Sequence, residues 1–148
     1  MSLSVREQEY LEAMYFLLRE KGIIRVRDLA QKLGVRPASV VDALERLEEK
    51  GLVTYRKRER ISLTENGIRA ASEIAERHEL LKRFFIEVLG VPEDVAEQDA
   101  CYLEHGVHPQ TLDRIFMFLK FISMCPRDGP DLLEQFKYFA KYEKCPSD

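Results

Sequence analysis

Three residues that commonly bind metal ions stand close together in the segment 101–105. On a helix, Cys101, Glu104 and His105 occupy positions i, i+3 and i+4, so that a thiol, a carboxylate and an imidazole share one face. These groups differ in hardness and lie within about one helical turn, a combination that suits a transition metal. The alternative is a half-exposed helix with a buried cysteine and solvated Glu and His side chains. Spacing alone leaves both interpretations open.

A transition metal needs more ligands than this face supplies, and the sequence offers three further candidates. Glu9 and Glu12 stand at i and i+3 near the start of the chain, and His78 lies on or beside an apolar helical stripe in the middle. Most helical glutamates are simply solvated, and a lone histidine on an apolar face is more often a core residue than a ligand. The role of these residues therefore depends on what the fold brings together.

Composition predicts a globular protein rich in helix. The chain has 148 residues, of which 45% are hydrophobic and 33% charged, enough for one domain or two small ones. The sequence contains no apolar run long enough to span a membrane and no signal-peptide pattern. Three cysteines, an odd number, fit a reducing compartment better than a disulfide scaffold. We therefore expect a cytoplasmic protein without membrane association.

Charge is distributed unevenly along the chain. The formal net charge is −3, yet residues 25–69 carry a net charge of +4 and residues 70–148 one of −6. A basic segment within an acidic protein suggests a polyanionic partner for that segment, although charge also serves solubility.

The basic segment has the pattern of a winged helix-turn-helix. It follows a predicted helix over residues 4–20, with a Ser4–Glu7 capping box and Gly22 at its end. A short helix over residues 26–33 and a turn at Gly34 lead to a second helix that begins at Pro37 and stops at residues 50–51. Two β-prone runs, 52–55 and 60–63, then flank a charged tip.

The alternative is a helix pair with a hairpin that binds no nucleic acid, but the basic tip favours DNA. Side chains of the second helix and its start would face the bases or backbone, and those of the hairpin would approach phosphates. The predicted DNA-binding residues are Arg36, Pro37, Ser39, Asp42 and Arg46 in the first group, and Arg56, Lys57, Arg58 and Arg60 in the second.

The rest of the chain is predicted to be helical. One long helix runs from Thr64 and Gly67 to residues 89–90, the next from Glu93 to Gly106, and a third from 108–109 onwards. A turn over residues 125–130 precedes a last helix over 131–143. The third of these helices is apolar on more than one side, which a partner subunit could cover.

Four segments resemble the metal-dependent repressors typified by the diphtheria toxin repressor and the manganese transport regulator. They are 9–12 (Glu-Tyr-Leu-Glu), the winged helix, 77–81 (Arg-His-Glu-Leu-Leu) and 101–105 (Cys-x-x-Glu-His). The resemblance implies a mainly α fold. A winged helix-turn-helix DNA-binding domain with a small β-hairpin wing would occupy residues 1–70, and an all-helical metal-binding and dimerisation domain residues 71–148. It also implies the compact type without an SH3-like domain.

The same resemblance implies a ligand set. Glu9, Cys101, Glu104 and His105 match ligands of the main activating site, and Glu12 and His78 match ligands of a neighbouring site.

The match to the family pattern is not complete. The iron-type members have Met at the position of Glu9, and the manganese type has a carboxylate at the position of Cys101. Lys82 stands where relatives offer a carboxylate and Glu97 where the iron type offers a histidine. Because a charged lysine cannot bind a metal, Lys82 and Glu97 could form a salt bridge in place of an ancillary metal.

The resemblance implies a metal-dependent repressor of metal-ion homeostasis, not an enzyme. A divalent cation would clamp the DNA-binding and dimerisation domains, and a homodimer would bind a palindromic operator in double-stranded DNA. We expect Fe(II) first, because Cys101 is softer than a carboxylate, and Mn(II) next. The alternative is a metal-independent winged-helix regulator that responds to a small-molecule or protein effector. A metalloenzyme ranks last, since no nucleophile–base arrangement is visible in the sequence.

Two further cysteines, Cys125 and Cys145, flank the last predicted helix, and each precedes a proline. We expect two partly buried thiols. The alternative is that the chain folds back so that the thiols pair or share a soft metal.

Overall fold

The computed structural model describes residues 2–56, 60–125 and 131–146 and divides into two units, Met1–Glu76 and Arg77–Asp148. The expected boundary after residue 70 and the boundary between these units both fall within one long helix. The predicted fold class is confirmed, since the described chain is helical apart from one small antiparallel hairpin. Its elements in order are α1 (Val5–Lys21), α2 (Val26–Leu33), α3 (Pro37–Glu49), β1 (Val53–Thr54), β2 (Ser62–Leu63), α4 (Glu65–Glu87), α5 (Glu93–Leu103), α6 (Pro109–Met124) and α7 (Leu132–Tyr142).

The predicted capping box opens α1. The Ser4 hydroxyl accepts from the Glu7 N–H at 3.1 Å, and the Glu7 carboxylate accepts from the Ser4 N–H at 2.9 Å. Lys50, just after α3, donates to the same carboxylate at 2.7 Å. The hydrogen bond from Lys50 lowers the pKa of Glu7, against the opposing effect of its burial. The start of α1 is thus tied to the end of α3.

The helix-turn-helix forms as predicted. Gly34 caps α2 in the left-handed conformation, with φ of 64°, which glycine adopts without strain. Pro37 occupies the first turn of α3, where its missing N–H removes no helical hydrogen bond. One face of α3 enters the core of the N-terminal unit, and its buried members are Val40, Ala43, Leu44 and Leu47.

The wing is a short antiparallel hairpin. Val53 pairs with Leu63, and an isolated bridge between Ile24 and Ile61 ties the second strand to the segment between α1 and α2. The side chains of Val53, Ile24 and Ile61 are buried, so the base of the hairpin belongs to the core of this unit. The predicted hairpin is therefore confirmed at its base, while residues 57–59 of its tip lie outside the described residues.

Gly67 allows α4 to begin close against the chain that precedes the wing. A Cβ atom at this position would collide with the carbonyl oxygen of Leu52. Thr64 fixes the approach, because its hydroxyl donates to the Gly51 carbonyl at 2.6 Å and accepts from the Gly67 N–H at 3.1 Å.

The C-terminal unit has a smaller buried apolar cluster. Leu81, Ala100 and Leu112, from α4, α5 and α6, form its centre. Helix α5 ends at Leu103 and not at Gly106 as predicted. The Glu104 N–H still donates to the Ala100 carbonyl at 2.9 Å, but the next residues form a turn.

Large apolar side chains remain exposed on this unit, in agreement with the excess apolar surface predicted from the α6 sequence. On α6 they include Phe116 and Met117, which are 52% and 57% exposed. Helix α7 has no buried residue, and Phe136 and Phe139 on it are exposed as well. None of the described helices is both long and apolar enough to cross a membrane.

Two of the expectations for Cys125 and Cys145 were wrong. Both thiols are free and exposed, so they are neither partly buried nor paired in a disulfide, while a shared soft metal stays a prediction. The turn predicted between α6 and α7 falls on residues 126–130, outside the described residues.

Candidate metal centre and DNA-binding surface

The face of α5 that packs inward carries a carboxylate at its end. Ala96 and Ala100 are fully buried, and Glu104 follows at the same four-residue spacing. The fully buried Glu104 side chain is only 1% exposed. A carboxylate seldom occupies such a position unless charged or hydrogen-bonding partners stabilise it.

Two histidine side chains lie next to this carboxylate. Nδ1 of His78, on α4, lies 2.7 Å from Oε2 of Glu104, and Nε2 of His105 lies 3.1 Å from Oε1. The side chains of His78 and His105 are 3% and 5% exposed. The C-terminal unit thus gathers two imidazoles around one carboxylate in a nearly water-free environment.

The second ring nitrogen of His78 contacts another carboxylate. Nε2 lies 2.8 Å from Oε1 of Glu97, one of the outer residues of α5. Lys82, one turn after His78 on α4, holds the other oxygen of Glu97 at 2.9 Å and reaches Glu93 at 3.6 Å. The Lys82–Glu97 salt bridge suggested by the sequence is present.

The contacts among Lys82, Glu97 and His78 shift the pKa values of Glu97 and Lys82. Burial raises the pKa of Glu97, but the hydrogen bond and charge of Lys82, together with His78, outweigh burial and hold it below its usual range. The hydrogen bond to Glu97 raises the pKa of Lys82. Glu97 is therefore an ionised acceptor at neutral pH.

The donor set fits a divalent cation. A neutral imidazole has one N–H, yet both nitrogens of His78 lie at hydrogen-bonding distance from carboxylates. The arrangement therefore requires an extra proton on the ring or on one of the carboxylates. A cation that bound one ring nitrogen and Glu104 would satisfy both without that proton. His78, Glu104 and His105 offer nitrogen and oxygen ligands of the kind that Mn(II), Fe(II) and Zn(II) accept.

Cys101 differs from this group of buried side chains in its exposure. It was predicted to share a face with Glu104 and His105, but it is exposed. The buried face of α5 follows Ala96, Ala100 and Glu104, and Cys101 lies one position farther round the helix. The end of α5 at Leu103 also places His105 in a turn, so helical spacing no longer relates it to Cys101.

The other two predicted ligands, Glu9 and Glu12, lie on α1 in the N-terminal unit. Glu9 pairs with Arg6 at 3.0 Å, one turn earlier, and its side chain is 35% exposed. Glu12 is half-buried beside the core residue Leu11. Glu9 therefore has a cationic partner within its own helix, and Glu12 adjoins the core.

The contact between Glu97 and His78 was missed by the sequence analysis, which paired Glu97 with Lys82 only. A signal was available, because Glu97 precedes Glu104 by seven residues, or two helical turns. Both carboxylates of α5 can therefore meet residues of one neighbouring helix.

The predicted DNA-binding residues of α3 occupy its outward side. The inward side is filled by the core residues given above, whereas the residues at the helix start and on the opposite face are exposed. The exposed candidates are Arg36, Pro37, Ser39, Asp42 and Arg46. This leaves α3 with a polar face available to a groove of DNA.

The hairpin adds positive charge beside that face. Arg56 and Arg60 are both exposed on either side of the wing tip. Lys57 and Arg58, the other two predicted phosphate contacts, lie outside the described residues.

Comparison with known proteins identifies both halves of the chain. Residues 2–61 match the family model for the N-terminal DNA-binding domain of iron-dependent repressors. Residues 64–133 match the model for the metal-binding and dimerisation domain of the same family.

Individual relatives agree with this assignment. An uncharacterised HTH-type transcriptional regulator of Methanocaldococcus jannaschii is 35% identical over 76% of this chain and 91% of its own length. The HTH-type transcriptional regulator MntR of Lysinibacillus sphaericus is 30% identical over 86% of this chain and 88% of its own. A solved manganese-dependent transcriptional repressor in complex with manganese shares the fold, with a TM-score of 0.71 and 24% identity over 91% of this chain and 77% of that one. The chain therefore belongs to the iron-dependent repressor family of metal-dependent transcriptional regulators, with an N-terminal DNA-binding domain and a C-terminal metal-binding and dimerisation domain.

Proposed function

We propose that this protein is a repressor whose DNA binding is switched on by Mn(II) or Fe(II) held at His78, Glu104 and His105. The observation that carries the proposal is the buried Glu104 carboxylate between two imidazoles, at 2.7 Å and 3.1 Å. A divalent cation supplies the positive charge that a buried carboxylate between neutral imidazoles lacks.

The choice of metal depends on whether Cys101 binds it. The expectation of Fe(II) first rested on the softness of this thiolate, but Cys101 is exposed in the structure. Carboxylate and imidazole ligands without a thiolate suit Mn(II) as well as Fe(II). The family model is described as iron-dependent, and the solved neighbour described above is manganese-dependent. We therefore propose both Mn(II) and Fe(II) as activating metals. If the Cys101 thiolate is a ligand, Cys101→Ser should weaken Fe(II) binding more than Mn(II) binding, and otherwise it should not.

The proposal adds Glu9 and Glu12 as ligands contributed by the DNA-binding domain, on the strength of the sequence resemblance. Binding by residues of both domains would restrict their relative motion. In a homodimer, this would fix the spacing of the two α3 helices to suit a palindromic operator. Metal and DNA would then favour each other's binding by the same factor. We propose that the regulated genes serve metal-ion homeostasis.

Metal affinity tests the centre directly. We expect the parent protein to bind Mn(II) and anaerobic Fe(II) in calorimetry, and His78→Ala and His105→Ala to bind each metal at least about tenfold more weakly. His108→Ala is the matched control, because His108 is an exposed residue that precedes α6 in the same unit. Parent-like metal binding by both His78→Ala and His105→Ala would exclude the proposed centre, and a parent that bound neither metal would favour a metal-independent regulator.

The dependence of DNA affinity on salt concentration tests the proposed DNA-binding surface. Replacing Arg56 should weaken binding to all DNA sequences and reduce the slope of log affinity against log salt concentration by about one charge. Arg114→Ala removes an exposed arginine from α6 as a control. If the two variants had the same affinity and slope, the proposed contact between the wing and phosphates would be wrong.

A further inference from the structure

The imidazole of His78 is held from both edges. Glu104 lies at Nδ1 and Glu97 at Nε2, at 2.7 Å and 2.8 Å. The two carboxylates differ in environment, since the Glu104 side chain is 1% exposed and that of Glu97 is 50% exposed. The Glu97 carboxylate is also fixed by Lys82 at 2.9 Å. His78 thus has one inner and one outer carboxylate partner.

We infer that Glu97, anchored by Lys82, is a positioning residue for the metal centre. Glu97 accepts the Nε2–H of His78 and thereby presents Nδ1 to Glu104 and to a cation bound there. This inference rests on the proposed function, in which Glu104 and His78 bind the same cation. It assigns to Glu97 a role that differs from that of a ligand.

The geometry explains why Glu97 would not bind the same cation. The two nitrogens of an imidazole ring point in diverging directions, so a carboxylate at Nε2 does not reach an ion at Nδ1. The Glu97 carboxylate is moreover occupied by the Lys82 ammonium, which would repel a divalent cation at that place. Lys82 keeps Glu97 ionised and oriented, and Glu97 in turn orients His78.

Hydrogen bonds of this kind usually matter for metal binding. A ligating histidine commonly donates its other ring N–H to a carboxylate or carbonyl, which fixes the tautomer and the ring orientation, and loss of that partner weakens metal binding by roughly 10- to 100-fold. Without Glu97, the ring proton of His78 would move to Nδ1, where Glu104 could accept it. That tautomer would block the nitrogen that faces Glu104.

Two substitutions of Glu97 separate the hydrogen bond from the charge. Glu97→Ala removes the acceptor and the charge, while Glu97→Gln removes the charge and keeps an amide oxygen that can accept. Because the side chain is half exposed on a helix, alanine is expected to leave the fold intact. Glu93→Gln is the matched control, since Glu93 also reaches Lys82 but its side chain is 80% exposed.

Nitrogen-15 NMR of His78 in the metal-free protein provides a readout that does not depend on metal binding. We expect hydrogen on Nε2 in the parent, in Glu97→Gln and in Glu93→Gln, and a shift of the hydrogen to Nδ1 in Glu97→Ala. Mn(II) affinity should fall by roughly 10- to 100-fold in Glu97→Ala, and by less in Glu97→Gln and Lys82→Met. Glu93→Gln should bind Mn(II) as the parent does.

The outcomes are distinguishable from failure of the proposed function. If the parent bound no divalent cation, the proposed function would fail, whereas the NMR signals of His78 would still decide whether Glu97 fixes its tautomer. If Glu97→Ala kept the parent tautomer and the parent Mn(II) affinity, the inference would be overturned. Equal losses of affinity in the alanine and glutamine variants would show that the charge of Glu97 matters and its hydrogen bond does not, which also overturns the positioning role.

Discussion

The two units differ in what they bury and in what they leave exposed. The N-terminal unit buries a continuous apolar cluster that extends from Tyr10 on α1 to Ile74 on α4 and includes the base of the wing. The C-terminal unit has a smaller apolar cluster around Leu81 and also buries the polar side chains of His78 and Glu104. Many of its large apolar side chains face outward. An apolar core stabilises a fold by itself, whereas a polar centre and an exposed apolar face need partners.

This contrast matches the assignment of the two family domains. A DNA-binding domain must present α3 and the wing from a stable frame. A metal-binding and dimerisation domain is completed by a cation and a second subunit, both of which can be lost. We therefore expect core substitutions in the N-terminal unit to act mainly on stability, and substitutions at the polar centre or the exposed apolar face of the C-terminal unit to act mainly on binding.

The largest expected effect on stability is at the centre of the N-terminal core. Leu44→Ala leaves a cavity beneath α3 and should reduce the free energy of unfolding by about 2–5 kcal/mol. Leu132→Ala, at a position on α7 that is 36% exposed, serves as the control and should cost much less. Denaturant unfolding followed by circular dichroism measures both. Equal losses would contradict the view that the principal core lies in the first unit.

A smaller loss of stability is expected from a substitution at the start of α4. Gly67→Ala forces a methyl group against the Leu52 carbonyl and should cost about 1–3 kcal/mol. At Gly106, a Cβ meets nothing within 4 Å, so Gly106→Ala is the control. A neutral effect of Gly67→Ala in the same unfolding assay would mean that the chain before the wing moves aside without cost.

The ion pair between Glu7 and Lys50 should contribute about 1 kcal/mol and depend on pH. Folding lowers the pKa of Glu7 below its ordinary value of 4.5, so its contribution is full above that value. It is lost as the pH falls through the lowered pKa of the folded state. The stability difference between the parent and Glu7→Gln should therefore be present at neutral pH and disappear in acid. A difference that grew on acidification would contradict this sign.

The smallest effect on the stability of the monomer is expected on the exposed face of α6, where dimerisation should respond instead. Met117→Ser should weaken self-association in sedimentation experiments, because a polar side chain would enter the apolar surface that we expect a second subunit to cover. Val5→Ser replaces a similarly exposed residue, 52% against 57%, on the N-terminal unit and should leave association unchanged. The comparison between the units would fail if Val5→Ser dissociated the dimer and Met117→Ser did not.

The N-terminal unit could be predicted well from the sequence because its signals are local. The capping box at Ser4, the turn at Gly34 and Pro37 at the start of α3 each depend on residues a few positions apart. The basic hairpin followed from two β-prone runs. Such features act through the backbone of their own segment, so no knowledge of tertiary packing was needed.

The candidate metal centre was only partly predictable because it depends on packing between helices. Periodicity placed Cys101, Glu104 and His105 on one face, but α5 ends at Leu103, and Cys101 is exposed whereas Glu104 is buried. The buried contacts of His78 with two carboxylates join residues separated by 26 and 19 positions. The sequence could name these side chains, whereas their mutual distances required the fold.

Coupling between metal and DNA tests the central claim most directly. Affinity for DNA from the promoter region of the protein's own gene would be measured with and without Mn(II) or Fe(II), for the parent, His105→Ala and Glu9→Ala. We predict that metal strengthens binding by the parent roughly 5- to 150-fold, that His105→Ala loses this gain together with metal affinity, and that Glu9→Ala loses much of the gain while keeping more metal affinity. If added metal strengthened operator binding by both variants as much as by the parent, the proposed coupling of metal and DNA binding through these residues would be contradicted.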